Sequence, residues 1–314
     1  MLSELLVALP DEGLRERLSS PPQGVELTTW HIDDDPVGAT FDLLVLPYMM
    51  PPSKLAALHR QPARVVQAQT LGYDGVVDFL PEGTIFCNAV NVHEASTAEL
   101  TLTLMLASLR GLPQLLNAQA SATWAHAQYP GLAGRTVLLI GVGGVGGEIE
   151  RRLAPFDVSL RRMGRTARED ERGPVLGMES LTDELPKADI VIVAVPLGPE
   201  TRKLVSTGFI SAMKPGALLL NVSRGAVVDT DALVTALTRG AISAALDVTE
   251  PEPLPPDHPL WRTPNTILTP HVGGHTGAMS GRVDRLLMGQ IRRLLNGEEP
   301  MNAVLGVSTP NLQR

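Results

Sequence analysis

Short apolar runs recur along the chain, separated by stretches in which apolar residues return every three or four positions. In the first part the runs are Leu5–Leu9, Glu26–Trp30, Leu43–Leu46, Val65–Ala68 and Thr84–Cys87, whose length and β-branched content predict strands. Leu14–Leu18, Ser53–His59 and Val76–Phe79 carry helical spacing between them. A second series follows: Val137–Ile140, Val158–Met163, Ile190–Val195, Ala217–Asn221, Ala244–Asp247 and Thr266–Leu268, with helical patterns at Glu148–Ala154, Leu204–Met213 and Asp231–Gly240. Strands that alternate with helices predict parallel sheets covered on both faces. The pattern therefore predicts an α/β chain with two doubly wound parallel-sheet domains.

Between the two series, Glu94–Arg110 is apolar nearly all round, which predicts a helix buried between domains or subunits. Ser96 and Glu99 have capping-box spacing at its start. Residues 111–134, with Pro113, Trp124, Tyr129, Pro130 and Gly131, lack periodicity and read as loop-rich. They form either an arm that wraps a partner subunit or a plain surface connection. The last pattern, Gly281–Asn296, sets Leu286, Leu287, Ile291, Leu294 and Leu295 on one helical face that packs back on the first domain. The chain then crosses between domains twice, giving one domain of residues 1–93 with 275–314 and a second of 94–274.

One junction carries chemistry. The run Val137–Ile140 leads into Gly141, Gly143 and Gly146, spaced G-x-G-x-x-G around Gly144 and Val145, and then into a helical pattern. Glycines let backbone approach phosphate, and the N–H groups and dipole of a helix N-terminus favour the anion, so this stretch predicts a dinucleotide pyrophosphate site.

Composition narrows the rest. The 314 residues carry a net charge of −8 with 44% apolar and 19% charged residues. That is an ordinary globular balance without the basic footprint expected for nucleic acid or an anionic membrane. No apolar run reaches the length of a membrane span, and the first residues lack the basic start of a secretory signal. The single cysteine, Cys87, rules out an intrachain disulfide framework and a cysteine-rich metal centre; no metal site is expected. In T-I-F-C-N it reads as a core thiol, and a lone cysteine fits a reducing cytoplasm. Asp33-Asp34-Asp35-Pro36 reads as a solvated turn.

Seven motifs in order then carry a resemblance. L-G-Y-D (71–74), S-T-A-E-L (96–100), G-V-G-G-V-G (141–146), V-P-L-G-P-E-T (195–201), N-V-S-R-G (221–225), D-V-T-E-P-E-P-L (247–254) and P-H-V-G-G (270–274) resemble the D-isomer-specific 2-hydroxyacid dehydrogenase family. The resemblance implies a Rossmann cofactor domain inserted into a flavodoxin-like substrate domain, and a homodimer. It implies reduction of a small 2-oxo acid to the D-2-hydroxy acid: Arg224 binds the substrate carboxylate, His271 moves the proton, and Glu252 pairs with His271. Chemistry agrees with these types, since a guanidinium fork suits a carboxylate and an imidazole suits proton transfer near neutrality. By resemblance, Leu71 and Gly72 complete the carboxylate cradle. Thr97 and Asp247 stand near the nicotinamide, and Pro196 and Leu197 form the apolar wall of the adenine side. Val195, Val222, Ser223 and Gly273 complete the cofactor-binding set. The resemblance leaves two rivals: a non-catalytic NAD(P)H-sensing protein of corepressor type, and an oxidative enzyme like phosphoglycerate dehydrogenase.

The sequence departs from the NAD-binding pattern at one point. NAD sites place an acid at the end of the second strand, about 20 residues on, to bind the ribose 2′-hydroxyl. Here that position is Gly164, and Arg162, Arg165, Thr166 and Arg168 surround it. Arginines pair with a 2′-phosphate that a carboxylate would repel. The expectation is NADP over NAD, with Gly164, Arg165 and Thr166 at the 2′-phosphate. On the substrate side, L-P-Y-M-M-P-P (46–52) supplies Met49 as part of an adaptable apolar wall. That fits glyoxylate, hydroxypyruvate or a bulkier 2-oxo acid.

Overall fold

The computed structural model describes residues 5–306. The expectation about a secretory leader rests in part on residues 1–4, outside that range. The chain divides into two units, one running to His93 and resuming at Gly277, the other Glu94–Thr276. The second junction lies two residues beyond the expected position.

The first unit opens with strands β1 (Leu5–Leu9), β2 (Val25–Thr29), β3 (Phe41–Val45), β4 (Ala63–Gln67) and β5 (Ile85–Cys87), and helix α1 (Glu12–Arg17). All but one of the expected strands here differ from these bounds by one or two residues. Apolar residues such as Leu46 and Ala68 remain buried just past the ladder, so hydrophobicity outlasts the strand. The expected helical pieces at 53–59 and 76–79 are 3-10 turns, Pro52–His59 and Val76–Asp78.

The second unit runs α2 (Glu94–Leu109), α3 (Leu112–Ala120), β6 (Arg135–Ile140), α4 (Gly144–Leu153), β7 (Val158–Met163), β8 (Arg168–Asp170), β9 (Gly173–Val175), α5 (Leu181–Glu184), β10 (Ile190–Val193), α6 (Thr207–Ala212), β11 (Leu218–Asn221), α7 (Thr230–Thr238), β12 (Ser243–Leu246) and β13 (Thr266–Leu268). The chain then returns to the first unit with α8 (Met279–Leu295) and β14 (Ala303–Leu305).

The first sheet has the order β14-β5-β4-β3-β1-β2, the flavodoxin-like 2-1-3-4-5 arrangement with β14 added antiparallel to β5. The second has the order β13-β12-β11-β10-β6-β7, every pair parallel. Val191, Val193, Leu219 and Leu138 on one face of it, and Val137, Leu139, Ile190 and Leu220 on the other, enter separate cores. Burial on both faces explains why these strands read as continuous apolar runs. In the first unit α8 buries Val283, Leu286, Leu287 and Ile291 against Val7, Leu9 and Val45, as its pattern predicts.

Several local expectations are corrected. Helix α2 begins at Glu94, so Ser96 lies inside its first turn and is no cap; its Oγ is 3.0 Å from Thr276 Oγ1. Within its own unit, α2 packs Ala98, Leu104 and Met105 with Ile149 and Leu153 of α4. Residues 112–120 are helical, not loop: proline is tolerated in a first turn, and Gly111 makes the corner with φ 61°. Helix α6 starts three residues later than its pattern, at Thr207, where Ser206 caps Phe209 N and Val205 bridges Val228. The β8–β9 hairpin and β14, three residues per strand, were too short to register as periodicity.

Candidate active site

In a parallel sheet every strand ends on the same edge. Gly141 follows β6, Gly164 follows β7, Val195 follows β10, Val222 follows β11, Asp247 follows β12 and the His271 loop follows β13. The second unit thus brings nearly all of the residues that sequence singles out to one sheet edge, where ligands bind in open α/β sheets. Met49, Leu71 and Gly72 belong to the first unit.

At the glycine turn each glycine answers to a different constraint. Gly141 has φ 99°, and a Cβ there would lie 2.3 Å from Ala194 O. A Cβ on Gly146 would lie 1.9 Å from Gly141 O. These two close the strand–helix packing. A Cβ on Gly143 would meet nothing within 4 Å, so that residue faces open space. Helix α4 begins at Gly144, four residues before the expected start at Glu148, and its N-cap Gly143 has no side chain to cap it. A helix N-terminus beside open space fits a pyrophosphate. Val195 Cγ1 backs the turn, 3.1 Å from the Cβ position of Gly141, while Pro196 is exposed.

Near the end of β7, Arg162 corrects the expectation. Its side chain is buried, donates to Asp170 (2.6 and 2.8 Å) and Gly173 O, and stands 3.2 Å from Glu150. Asp170 also accepts from Arg172 N, and Arg172 reaches Glu150 (2.8 Å) and the Val142 carbonyl of the glycine turn (2.9 Å). This ring of two arginines and two acids ties α4 to the hairpin and leaves Arg162 no role as a phosphate reader. Arg165 is the opposite: its side chain is 80% exposed. A side chain at Gly164 would meet Val175 and Arg168, so this position has little room for an acid.

On the other side of the sheet the groups are held tightly. Asp247 is buried and its carboxylate accepts from Thr269 Oγ1 (2.7 Å), Val272 N (2.9 Å) and Gly273 N (2.9 Å), while its carbonyl accepts from His271 N (2.7 Å). Gly273 is compulsory here, since a Cβ would lie 2.8 Å from Asp247 Oδ2 and 3.3 Å from Thr97. These bonds fix His271 at φ 53°, a left-handed conformation unusual for a side-chain-bearing residue. His271 Nδ1 lies 2.5 Å from Glu252 Oε1. Burial pushes the Glu252 carboxyl up, but the hydrogen bond and charge of His271, a backbone contact from Thr249 and the charge of Arg224 outweigh it and hold it below the usual carboxylate range. A carboxylate can only accept, so Nδ1 carries a hydrogen and Nε2 is left for other chemistry.

Arg224 is half-buried after β11, with Nη1 donating to Ser223 O (2.8 Å) and its carbonyl accepting from Asn221 Nδ2 (2.9 Å). Gly225 must be glycine because a Cβ would run into Thr249 O. In the first unit, Met49 is 48% exposed with φ 58°. The carbonyls of Leu71 and Gly72 accept from Asn88 Nδ2 and Thr70 Oγ1. Cys87 is fully buried, and burial pushes its thiol up to about 12. Sequence reasoning missed the Asp170–Arg172–Glu150 part of the ring; the clustered R-E-D-E-R letters (168–172) signalled it.

Comparison with known proteins agrees with this layout. Residues 102–273 match the family model for the NAD-binding domain of D-isomer specific 2-hydroxyacid dehydrogenases. A glyoxylate reductase of Thermofilum pendens is 34% identical over 76% of this chain and 73% of its own. The human glyoxylate reductase/hydroxypyruvate reductase is 37% identical over 67% of this chain and 66% of its own. The crystal structure of an NADPH-dependent glyoxylate/hydroxypyruvate reductase from Sinorhizobium meliloti, in complex with NADP and malonate, superposes with a TM-score of 0.78. It has 29% identity and covers 97% of each chain.

Proposed function

Since the chain belongs to the D-isomer-specific 2-hydroxyacid dehydrogenase family, we propose that it is an NADPH-dependent reductase of a small 2-oxo acid. The chain is an NAD(P)-dependent oxidoreductase acting on the CH–OH group of 2-hydroxy acids; the direction, the cofactor and the residue roles are the proposal. The observation that carries it is the His271–Glu252 pair at 2.5 Å, on the same sheet edge as Arg224 and the glycine turn.

Each residue has a task. Arg224 takes the substrate carboxylate and its neighbouring carbonyl oxygen in a guanidinium fork, with Leu71 and Gly72 N–H groups completing the cradle. His271 donates a proton from Nε2 to the oxygen of the carbonyl as it becomes a hydroxyl. Glu252 holds the ring at Nδ1 and so keeps Nε2 oriented. When bound, the nicotinamide supplies the hydride that the carbonyl carbon takes up. The glycine turn holds the pyrophosphate, and Thr97, Val222, Ser223, Asp247 and Gly273 line the nicotinamide side. Arg165 and Thr166 read the 2′-phosphate, which gives NADPH the preference over NADH. The relative from Sinorhizobium meliloti, described as NADPH-dependent, supports this reading. Met49 leaves the substrate side chain to be glyoxylate, hydroxypyruvate or a bulkier 2-oxo acid, and the product is the D isomer.

Helix α3 and its arm expose Leu112, Leu116 and Trp124, the last at 96%, which supports a homodimer. The lone buried Cys87 suits a reducing cytoplasm. The test is a panel of 2-oxo acids run with NADPH and with NADH. Cofactor oxidation with glyoxylate or hydroxypyruvate, faster with NADPH, is expected; no oxidation with any 2-oxo acid would remove the enzyme reading.

A further inference from the structure

Four arginines lie between residues 162 and 172, and they are engaged differently. Arg162 and Arg172 are bound into the ring with Glu150 and Asp170. Arg168 reaches only the Thr166 carbonyl, at 3.5 Å. Arg165 alone holds a carboxylate that it can release: its Nε is 3.3 Å from Glu200 Oε2, and the two side chains are 80% and 72% exposed.

Glu200 does not reach that place by chance of a loose loop. Its turn is fixed by Thr201, whose Oγ1 donates to Pro196 O (2.7 Å) and accepts from Gly198 N (2.8 Å), and by Arg202 N donating to Gly198 O (2.9 Å). The backbone under Glu200 is therefore set, and its carboxylate reaches from the end of β10 to the turn after β7.

We propose that Glu200 is a built-in competitor for the cofactor's 2′-phosphate at Arg165, and so sets how strongly the chain prefers NADPH. The inference rests on the reading of Arg165 as a phosphate reader. Before a 2′-phosphate can pair with Arg165, the guanidinium must leave Glu200. The phosphate, with roughly two negative charges, displaces a single carboxylate. The carboxylate then remains beside the phosphate as a like charge. A 2′-hydroxyl brings no charge to this contest, so Glu200 opposes NADPH far more than NADH. The opposition is small because both side chains are solvated, and exposed ion pairs are weak and screened by salt.

The experiment compares kcat/KM for NADPH and NADH in wild type, E200Q, E200K, R165A and the double variant E200Q/R165A, at low and at high salt. E200Q is expected to raise the NADPH to NADH ratio by roughly two- to fivefold at low salt, E200K by more, and both gains shrink as salt rises. With Arg165 absent, E200Q gives a smaller gain than it gives in wild type. An unchanged ratio in E200Q and E200K, or a full gain that persists in the R165A background, overturns the role of Glu200. If instead wild type prefers NADH and R165A leaves the ratio where it was, the phosphate-reader assignment itself fails.

Discussion

The outermost strands of the second sheet, β13 and β7, end in turns of opposite character. After β13, His271 is held in a left-handed backbone conformation by the Asp247 carbonyl and by an Asp247 carboxylate that takes three donors, and its ring is pinned to Glu252. After β7, Arg165 stands 80% exposed with one solvated partner. The difference fits the roles proposed for the two ends. Proton transfer is served by a closely placed group, which a saturated hydrogen-bond set provides. Telling a phosphate from a hydroxyl needs a positive charge within reach, which an exposed arginine supplies.

The largest break in this comparison should come at the tight end. Replacing His271 by Ala removes the proton donor, and kcat is expected to fall about 10²- to 10⁴-fold while the KM for cofactor stays near its wild-type value. Steady-state kinetics with glyoxylate reads both; a similar loss in kcat and in cofactor affinity would mean that His271 serves the fold of the loop instead.

E252Q should cost about tenfold in kcat by loosening the hold on the His271 ring. Because Glu252 sits below the usual carboxylate range, it is charged from mild acid upwards. Wild-type turnover should therefore fall in acid as that carboxyl becomes protonated, and E252Q should lack this acid limb. An acid limb that persists in E252Q would assign it to another group.

How much of this was legible beforehand follows the same division. The apolar runs of β6, β10 and β11 were readable because burial on both faces demands them, and the glycine turn because backbone packing leaves no alternative at Gly141 and Gly146. Residue types at strand ends named His271, Glu252 and Arg224 through motif and chemistry together. Long-range pairing was not legible. Arg162 looked like a member of an arginine cluster, yet strand alternation turns it inward, to acids eight positions ahead and twelve behind, whereas Arg165 beyond the strand end stays in water. Ser96 had the spacing of a cap, but nothing local says that the helix starts two residues earlier and that Thr276 meets it.

At the exposed end a smaller effect is expected. R165A should lower the NADPH to NADH ratio of kcat/KM roughly tenfold, one charge-assisted contact discounted for exposure. Competition assays with the two cofactors measure it. A loss shared equally by both cofactors would place Arg165 on the common pyrophosphate rather than on the 2′-phosphate.

The smallest effect sharpens the comparison, because the loose turn stands on a tight support. Asp170 is held below the usual carboxylate range, chiefly by the Arg162 hydrogen bond and against the opposing pull of burial, with Arg172 N–H adding to it. A carboxyl whose folded value is depressed adds stability that is complete above its unfolded value and is lost as pH falls through the folded one. D170N should therefore lower the Tm at pH 7, and lower it by less near pH 3. Thermal unfolding at the two pH values checks the sign; an equal loss at both would mean that the bond works without its charge. Cofactor kinetics on the same variant then probe the division between the two ends. If charge within reach is all the phosphate end requires, D170N keeps its NADPH to NADH ratio despite the lower Tm. A fall in that ratio would show that the solvated arginine also depends on placement, passed up the hairpin from the ring beneath it.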